Sequence, residues 1–295
     1  MTKRIIFVRG LALNLIHRRE FFTQRVRSDF PACLFERRSW PQNPLQRNKD
    51  DRMKYRQDPD LDFLKQCTSR ELDLLVKVLL FNKEGQPRSI VQLPNHPLYK
   101  EHAPNHAAYW EVVAGEIQRY GSNPLAALAR AGRGKHFIKI LDNVCSRLAV
   151  RYLPDASVEV MERTLCLALF TRALQPIPSE DLQIICDAFD FAPADMSNEG
   201  IRQVLVETIR LDDHAECLLR MIVANGAAMH ASGLGYAKVA AKKYHAVLDL
   251  FEKPLAVELE GVSSLSMTGA AHWIIIPAVL QLAFLRSMKN LNSSR

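Results

Sequence analysis

The sequence predicts an all-α protein, a multi-helix bundle with a small N-terminal helical subdomain and a central apolar helix near the C-terminus. Apolar residues recur every three or four positions through most of the chain, and caps, glycines and prolines divide these segments. No segment shows the sustained alternation of apolar and polar residues that indicates a half-buried strand. With 48% apolar and 24% charged residues among 295, the composition excludes disordered, collagen-like and disulfide-rich classes.

The net charge of +7 is concentrated in residues 1–52. This segment holds 12 basic and 5 acidic side chains, so the remainder of the chain is neutral. Three interpretations are open: a basic arm that binds nucleic acid or lipid, an Arg-rich transit peptide, or a segment upstream of a true start at Met53. We favour the third because the segment follows no periodic template. The domains we then expect are a small helical domain at 53–100 and a main helical domain at 101–290.

Helix signals begin soon after Met53. Asp58 followed by Pro59 is typical of an N-cap with proline in the first turn. Thr68 and Glu71 have the spacing of a capping box, and the apolar residues that follow lie on one helix face. That face consists of Leu72, Leu75, Val76, Leu79 and Leu80.

The middle of the chain predicts five more helices, at about 105–120, 125–131, 136–150, 157–174 and 179–189. A proline-rich connector precedes the first of them. Asn123 before Pro124 starts the second, and the glycines at 132 and 134 separate it from the third. Ser157 and Ser179 have the positions of N-caps for the last two helices.

The last third continues this pattern. Ser197 caps a predicted helix, and residues 217–223 and 239–251 carry apolar stripes with a loose Gly/Ala stretch between them. Residues 270–285 are almost wholly apolar but too few for the ~20 residues of a membrane span. We interpret them as the central buried helix, and insertion into a membrane surface is the alternative. The inserted face would comprise Trp273, Ile274, Ile275, Ile276, Leu280 and Phe284, with Arg286 and Lys289 at the lipid headgroups.

A short basic loop is the most suggestive motif for binding. The candidate anion- or partner-binding residues are Arg130, Gly132, Arg133, Gly134 and Lys135, directly before a predicted helix. Amides at a helix N-terminus, together with nearby cations, can hold a phosphate or another anionic partner. The loop is not a P-loop because the GxxxxGK[ST] frame is missing. A plain turn between two helices is the alternative.

The other polar clusters carry no catalytic signature. His96, His102 and His106 lack the HExxH spacing of a metal site. Residues 212–214, two aspartates and a histidine, fit an acidic helix start as well as acid–base chemistry. Six cysteines without a CxxC pair predict free thiols in a reducing compartment. We therefore expect no catalytic residue, no metal and no cofactor.

Several segments together resemble the YaaW family of bacterial proteins. They are residues 55–67, 109–121, 132–134, 140–148 and the tail 276–288. The family supplies no catalytic residues to carry over, and some members bear the label ubiquinol–cytochrome c chaperone-like. Between about 192 and 266 the chain departs from the family pattern: charged residues such as Lys238, Lys242 and Glu258 replace long Gly/Ala-rich apolar helices.

These observations predict a non-enzymatic, cytoplasmic protein that acts through protein contacts as an assembly, chaperone-like or stress-related factor. Neither its protein partner nor its oligomeric state follows from the sequence. One alternative is a protein peripheral to the inner membrane that inserts the C-terminal apolar helix. Another is an anion or nucleic-acid binder that uses the 130–135 loop, although a neutral body disfavours nucleic acid.

Overall fold

The computed structural model describes residues 55–121, 134–192, 197–233, 242–263 and 272–293. Within these ranges the chain forms α-helices and short 3₁₀ turns, with one isolated bridge between Phe81 and Pro87 and no strand. The all-α prediction is therefore confirmed. The helices are α1 (Ser69–Leu80), α2 (Pro97–His102), α3 (Trp110–Tyr120), α4 (Phe137–Arg147), α5 (Val158–Leu174), α6 (Leu182–Ala188), α7 (Asn198–Leu211), α8 (Asp213–Ser232), α9 (Lys242–Ser263) and α10 (His272–Ser293).

Helix α10 lies at the centre of the bundle, as the sequence predicts. It packs most extensively against α8 and also contacts α1, α3, α4, α5 and α9. Its residues from Ile274 to Arg286 are all buried. A surface helix carries apolar residues along one stripe only. This part of α10 is buried on all sides, so nearly every position in it is apolar.

Local capping decides several helix starts. The Thr68 hydroxyl accepts the Glu71 N–H at 3.3 Å, and the Glu71 carboxylate accepts the Thr68 N–H at 2.6 Å, so the capping box is confirmed. Ser157 and Ser197 likewise accept backbone N–H groups of the first turns of α5 and α7. Where the capping side chain and the N–H group that it accepts are close in sequence, the sequence pattern was sufficient to predict the cap.

Two predicted caps start no α-helix, although the Asp58 carboxylate does accept the nearby Asp60 N–H at 3.1 Å. Asp58 starts no helix of its own, and the next helical turn is a 3₁₀ helix at Asp62–Gln66. Its carboxylate also accepts the Phe137 N–H at the start of α4. The Ser179 hydroxyl accepts the Asn198 side-chain amide at 2.6 Å, and α6 begins three residues later without a side-chain cap.

The predicted loose Gly/Ala stretch comprised residues 225–228 and 233–235; the prediction is wrong at 225–228, and residues 234 and 235 lie outside the described residues. Residues 225–228 lie inside α8, which runs without a break to Gly233, where a positive φ of 61° ends the helix. Gly226 lies against α9, and a Cβ there would lie 2.5 Å from Leu255 Cδ1, so that side chain would have to shift to make room. The small residues therefore allow two helices to approach each other closely.

One apolar core extends through the described residues. It contains side chains from Leu61 to Leu285 and includes α1, α3, α4, α5, α8 and α10. The division at residue 100 stays a prediction, since the core is continuous on both sides of it. The predicted segment 1–52 and the predicted helix at 125–131 lie outside the described residues.

Candidate functional site

A basic cleft lies where the N-terminal part of the chain meets the start of α4. Its volume is about 230 Å³, and it is open to solvent. Of the predicted binding loop, Lys135 lines the cleft and Gly134 lies directly beside it, while Arg130, Gly132 and Arg133 lie outside the described residues. The lining residues are Arg56, Lys135, His136, Lys139, Asp142 and Asn143.

Gln118 on α3 holds both walls of the cleft. Its side-chain oxygen accepts the Arg56 N–H at 2.9 Å, and its amide donates to the Arg56 carbonyl at 2.8 Å. On the other side, a Cβ at Gly134 would lie 2.5 Å from Gln118 Cβ. The fully buried Gln118 therefore fixes the backbone that carries Arg56. Position 134, just before α4, packs so closely against Gln118 that only glycine fits there.

Asp58 joins the same two walls. Its carboxylate is 1% exposed, accepts the Phe137 N–H at 2.6 Å, and lies 3.5 Å from His136 Nδ1. The first amide of α4 thus already has an anionic acceptor within the protein. An anion in the cleft must rely on the lining side chains rather than on this amide, which differs from the arrangement that the glycine loop predicts.

The cleft carries excess positive charge. Arg56, Lys135 and Lys139 line it together with a single carboxylate, Asp142. Among the described residues, neither the Arg56 guanidinium nor the Lys139 ammonium has an ion-pair partner. Asp142 Oδ1 accepts the Tyr152 hydroxyl, and this hydrogen bond raises the pKa of Tyr152 to about 12. Three cations and one carboxylate line the cleft, and the buried Asp58 carboxylate lies behind them, 3.5 Å from His136, so the local field attracts anions with a small excess of positive charge.

A second polar cluster is buried and leaves no open cleft for a ligand. Glu162 on α5 is completely buried between Arg286 on α10, at 2.9 Å, and Arg220 on α8, at 3.7 Å. Burial raises the pKa of the Glu162 carboxyl, and the two arginines oppose that rise. Arg220 also pairs with Glu216, and Arg286 donates to the Asp60 carbonyl at 2.6 Å. The cluster ties three helices and the N-terminal segment together.

The residues of the predicted membrane-inserting face are mostly in the core. Ile274, Ile275, Ile276, Leu280 and Phe284 are buried, and only Trp273 is half-exposed. Arg286 is buried in the Glu162 cluster, and Lys289 pairs with Glu71 at 2.8 Å, so neither occupies the position predicted for a headgroup contact. Among the described helices, α10 alone is long and apolar enough to cross a membrane, and 72% of its most apolar stretch is buried inside the protein.

The remaining polar motifs have structural partners. His96 accepts the Leu98 N–H at the start of α2, whereas His106 is buried against Tyr109, so the candidate histidines do not converge. In the part of the chain that the structure describes, no group of three or more His, Cys, Asp or Glu side chains could hold a metal ion. Asp212 caps α8, which confirms the acidic helix start.

The described thiols are mostly buried and held in the protonated form. Burial raises the pKa of Cys67 to about 11 and the pKa of Cys145 and Cys166 to about 12. A thiolate is the reactive form of cysteine, so these side chains behave as small apolar residues.

Most of the cleft was missed from the sequence. Lys139 and Asn143 are four residues apart, which places them on one side of α4, and Lys135 directly precedes that helix, so these positions were a usable signal. No pattern in the sequence points to Arg56. It reaches the cleft because the neighbouring Asp58 binds the first amide of α4, which lies 79 residues further along the chain. The second wall of the cleft is a product of tertiary packing alone.

Part of this wall lies in a region that matches a known family model. Residues 55–89, which include Arg56 and Asp58, match the family model described as "Domain of unknown function (DUF3944)". A UPF0174 protein of Helicobacter pylori strain J99 is 29% identical over 236 residues, which cover 79% of this chain and 93% of that protein. The UPF0174 protein YaaW of Escherichia coli K12 is 29% identical over 241 residues, which cover 79% and 96%. The chain is therefore similar to UPF0174 proteins over most of its length.

The resemblance to YaaW inferred from short segments is thereby confirmed over most of the chain. The names of these relatives state no activity, substrate or partner. No solved structure matches the chain.

Proposed function

We propose that this protein is a non-enzymatic, cytoplasmic binding protein that acts through contact with another protein. In this proposal the basic cleft receives an acidic segment of the partner. The observation that carries the proposal is the convergence of Arg56, Lys135 and Lys139, from two distant parts of the chain, around one open cavity. Through such a contact the protein would act as an assembly factor or in a chaperone-like role.

An acidic protein segment fits the cleft better than a nucleic acid does. Among the described residues, no phenylalanine, tyrosine or tryptophan lines the cleft, so His136 is the one lining side chain with a ring on which a base could stack. The net charge beyond residue 52 is also zero, so the long-range attraction for a polyanion is weak there. A short acidic segment needs only the local field of three cations.

A membrane surface is the less favoured ligand for a different reason. The apolar face that would insert is already packed against α8 and α1. Inserting it into lipid would require exposing the buried Glu162 cluster as well, and separating buried charges from their partners is costly.

Fluorescence anisotropy tests the proposal with a fluorescein-labelled oligoglutamate peptide. Replacing two cleft cations in Lys135→Glu/Lys139→Glu should weaken binding by about tenfold or more. The matched control is Lys65→Glu/Lys100→Glu, the same charge change on two exposed lysines outside the cleft. Equal loss in both double variants would contradict a specific site.

Two further probes in the same assay separate the alternatives. A mixed-sequence single-stranded oligonucleotide and vesicles that contain phosphatidylglycerol should both bind more weakly than oligoglutamate. Preferential binding of the oligonucleotide, or of the vesicles, through the cleft lysines would replace the protein-contact proposal with the corresponding alternative.

A further inference from the structure

We infer that His136 makes ligand binding in the cleft pH-dependent: protonation of its imidazole raises the affinity of the cleft for an acidic segment. This inference rests on the proposed function and adds a regulation of the same site. It depends on the position of His136 between the lining cations and the buried carboxylate of Asp58. Histidine is the residue type whose charge ordinarily changes between pH 5 and 8.

The His136 imidazole contacts both solvent and a buried carboxylate. Its Nδ1 lies 3.5 Å from Asp58 Oδ2, and 37% of the side chain is exposed. The same residue lines the cleft and directly precedes α4 as its N-cap. The ring can therefore take up a proton from solvent, and it is close enough to Asp58 to pair with it once charged.

The Asp58 carboxylate is held in place beside this ring. Its Oδ2 accepts the Phe137 N–H at 2.6 Å and the Gln118 side-chain amide at 3.4 Å, and its Oδ1 accepts the Asp60 N–H at 3.1 Å. The side chain is 1% exposed. Because salt and water screen buried charges only weakly, Asp58 subtracts from the positive charge of the cleft although it does not line it.

Protonation of His136 changes the small charge excess of the cleft by a large fraction. While the imidazole is neutral, the three lining cations are opposed, among the described groups, by two carboxylates, Asp142 and the buried Asp58. The excess is then one positive charge, and the imidazolium adds a second. An acidic segment is attracted by this excess, so its affinity should rise as the pH falls.

The charged groups around the imidazole act in both directions. They are Arg56, Lys135, Lys139 and Asp142 in the cleft, Asp58 behind it, and Asp60, which interacts electrostatically with both His136 and Arg286. The cations and the positive end of the α4 dipole disfavour the imidazolium, whereas the carboxylates favour it. A bound anion adds to the groups that favour it, so ligand binding and protonation of His136 support each other.

Fluorescence anisotropy at two pH values tests the inference on the full-length protein. The probe is an oligoglutamate peptide with a label that does not titrate in this range, and its carboxylates, with an ordinary pKa of about 4.3, stay mostly ionised. The wild type should bind about three- to tenfold more tightly at about pH 5.8 than at about pH 7.5, because one more cation faces the ligand.

Two histidine variants assign the effect. His136→Gln should abolish the rise in affinity between the two pH values. His214→Gln, on an exposed imidazole of α8 outside the cleft, is the matched control and should keep the rise. Urea unfolding at both pH values checks that each variant is folded. A rise that survives in His136→Gln would overturn the inference but leave the proposed function standing, whereas no binding by the wild type at either pH would overturn both.

Proton uptake on binding provides a second, independent measurement. Since binding and protonation support each other, the complex should take up protons from the buffer at about pH 6.5. Isothermal titration calorimetry with the same peptide, in two buffers of different ionisation enthalpy, measures this uptake. The wild type should take up protons on binding, and His136→Gln should not. Equal uptake by both proteins, or no uptake by the wild type, would contradict the inference.

Discussion

Gly134 occupies a position with no room for a side chain. A Cβ there would lie 2.5 Å from Gln118 Cβ and 2.9 Å from the Gln118 carbonyl carbon, and the backbone carbon cannot rotate away. Gly134→Ala should therefore lower the free energy of unfolding by about 1–3 kcal/mol, the usual cost of overpacking. It should also weaken peptide binding, because α4 must shift away from the wall that carries Arg56.

Gly115 supplies the matched control for this prediction. It lies inside α3, and a Cβ there would meet its nearest neighbour, Tyr55 Cα, at 3.5 Å, which is ordinary contact. Gly115→Ala should be neutral or raise stability by about 0.5–1 kcal/mol, because alanine is the better helix former. Urea unfolding of both variants measures the difference. Equal destabilisation would show that the Gln118 contact is not what requires Gly134.

At this scale the sequence predicts side-chain roles only where the partner is a near neighbour. The bonds of Thr68, Ser157 and Ser197 close within three residues, so the cap pattern contains both partners. Asp58 matches the same pattern, yet its carboxylate binds an amide 79 residues away. Gly134 was predicted as part of an anion- or partner-binding loop, whereas the structure shows that a glycine is needed there because the position packs against Gln118 on α3.

His272 gives the start of α10 a pH dependence. The side chain is 6% exposed, its Nδ1 has no hydrogen-bond partner among the described residues, and burial, with Arg147 nearby, lowers its pKa from 6.5 to about 4. Between these values the unfolded chain binds a proton that the folded protein does not. The folded state therefore loses stability as the pH falls from about 6.5 towards 4, by at most about 1.4 kcal/mol per pH unit for this one group.

Unfolding curves recorded at several pH values isolate this effect. The difference in stability between wild type and His272→Gln should change across that interval, with the wild type losing more as the pH falls. His214→Gln, on an exposed imidazole of α8, should keep the wild-type profile. If the two variants have the same pH profile as the wild type, His272 is not the group responsible.

Helix types and approximate positions could be predicted because an apolar face is a local pattern. The predicted helices at 136–150 and 157–174 correspond to α4 and α5 with a few residues' difference at the ends. The role of Gly226 was predicted wrongly because, in a sequence, a glycine that ends a helix cannot be distinguished from one that lies at a close contact between two helices. The cleft could be predicted only in part, since its walls come from elements that the sequence pattern does not pair.

Across the whole molecule, the C-terminal helix joins parts of the chain that are distant in sequence. Arg286 reaches Glu162 on α5 and the Asp60 carbonyl, and Lys289 reaches Glu71 on α1. Buried ion pairs contribute little net stability when compared with apolar packing, but breaking one is costly. Here these contacts hold the segment around Asp60, and with it the wall of the cleft that carries Arg56, in one position against the bundle.

The continuous core predicts that residues on both sides of position 100 unfold together. Leu72 on α1 is fully buried and belongs to the same cluster as Leu280 on α10. Leu72→Ala should therefore lower the free energy of unfolding of the whole described bundle by about 2–5 kcal/mol, the usual cost of emptying a buried leucine site. In single-tryptophan variants that retain either Trp110 or Trp273, urea midpoints should coincide with each other and shift by the same amount. An early transition seen only at Trp110, followed by a later one unaffected by Leu72→Ala, would instead mean that helices contributing to one core unfold as separate units.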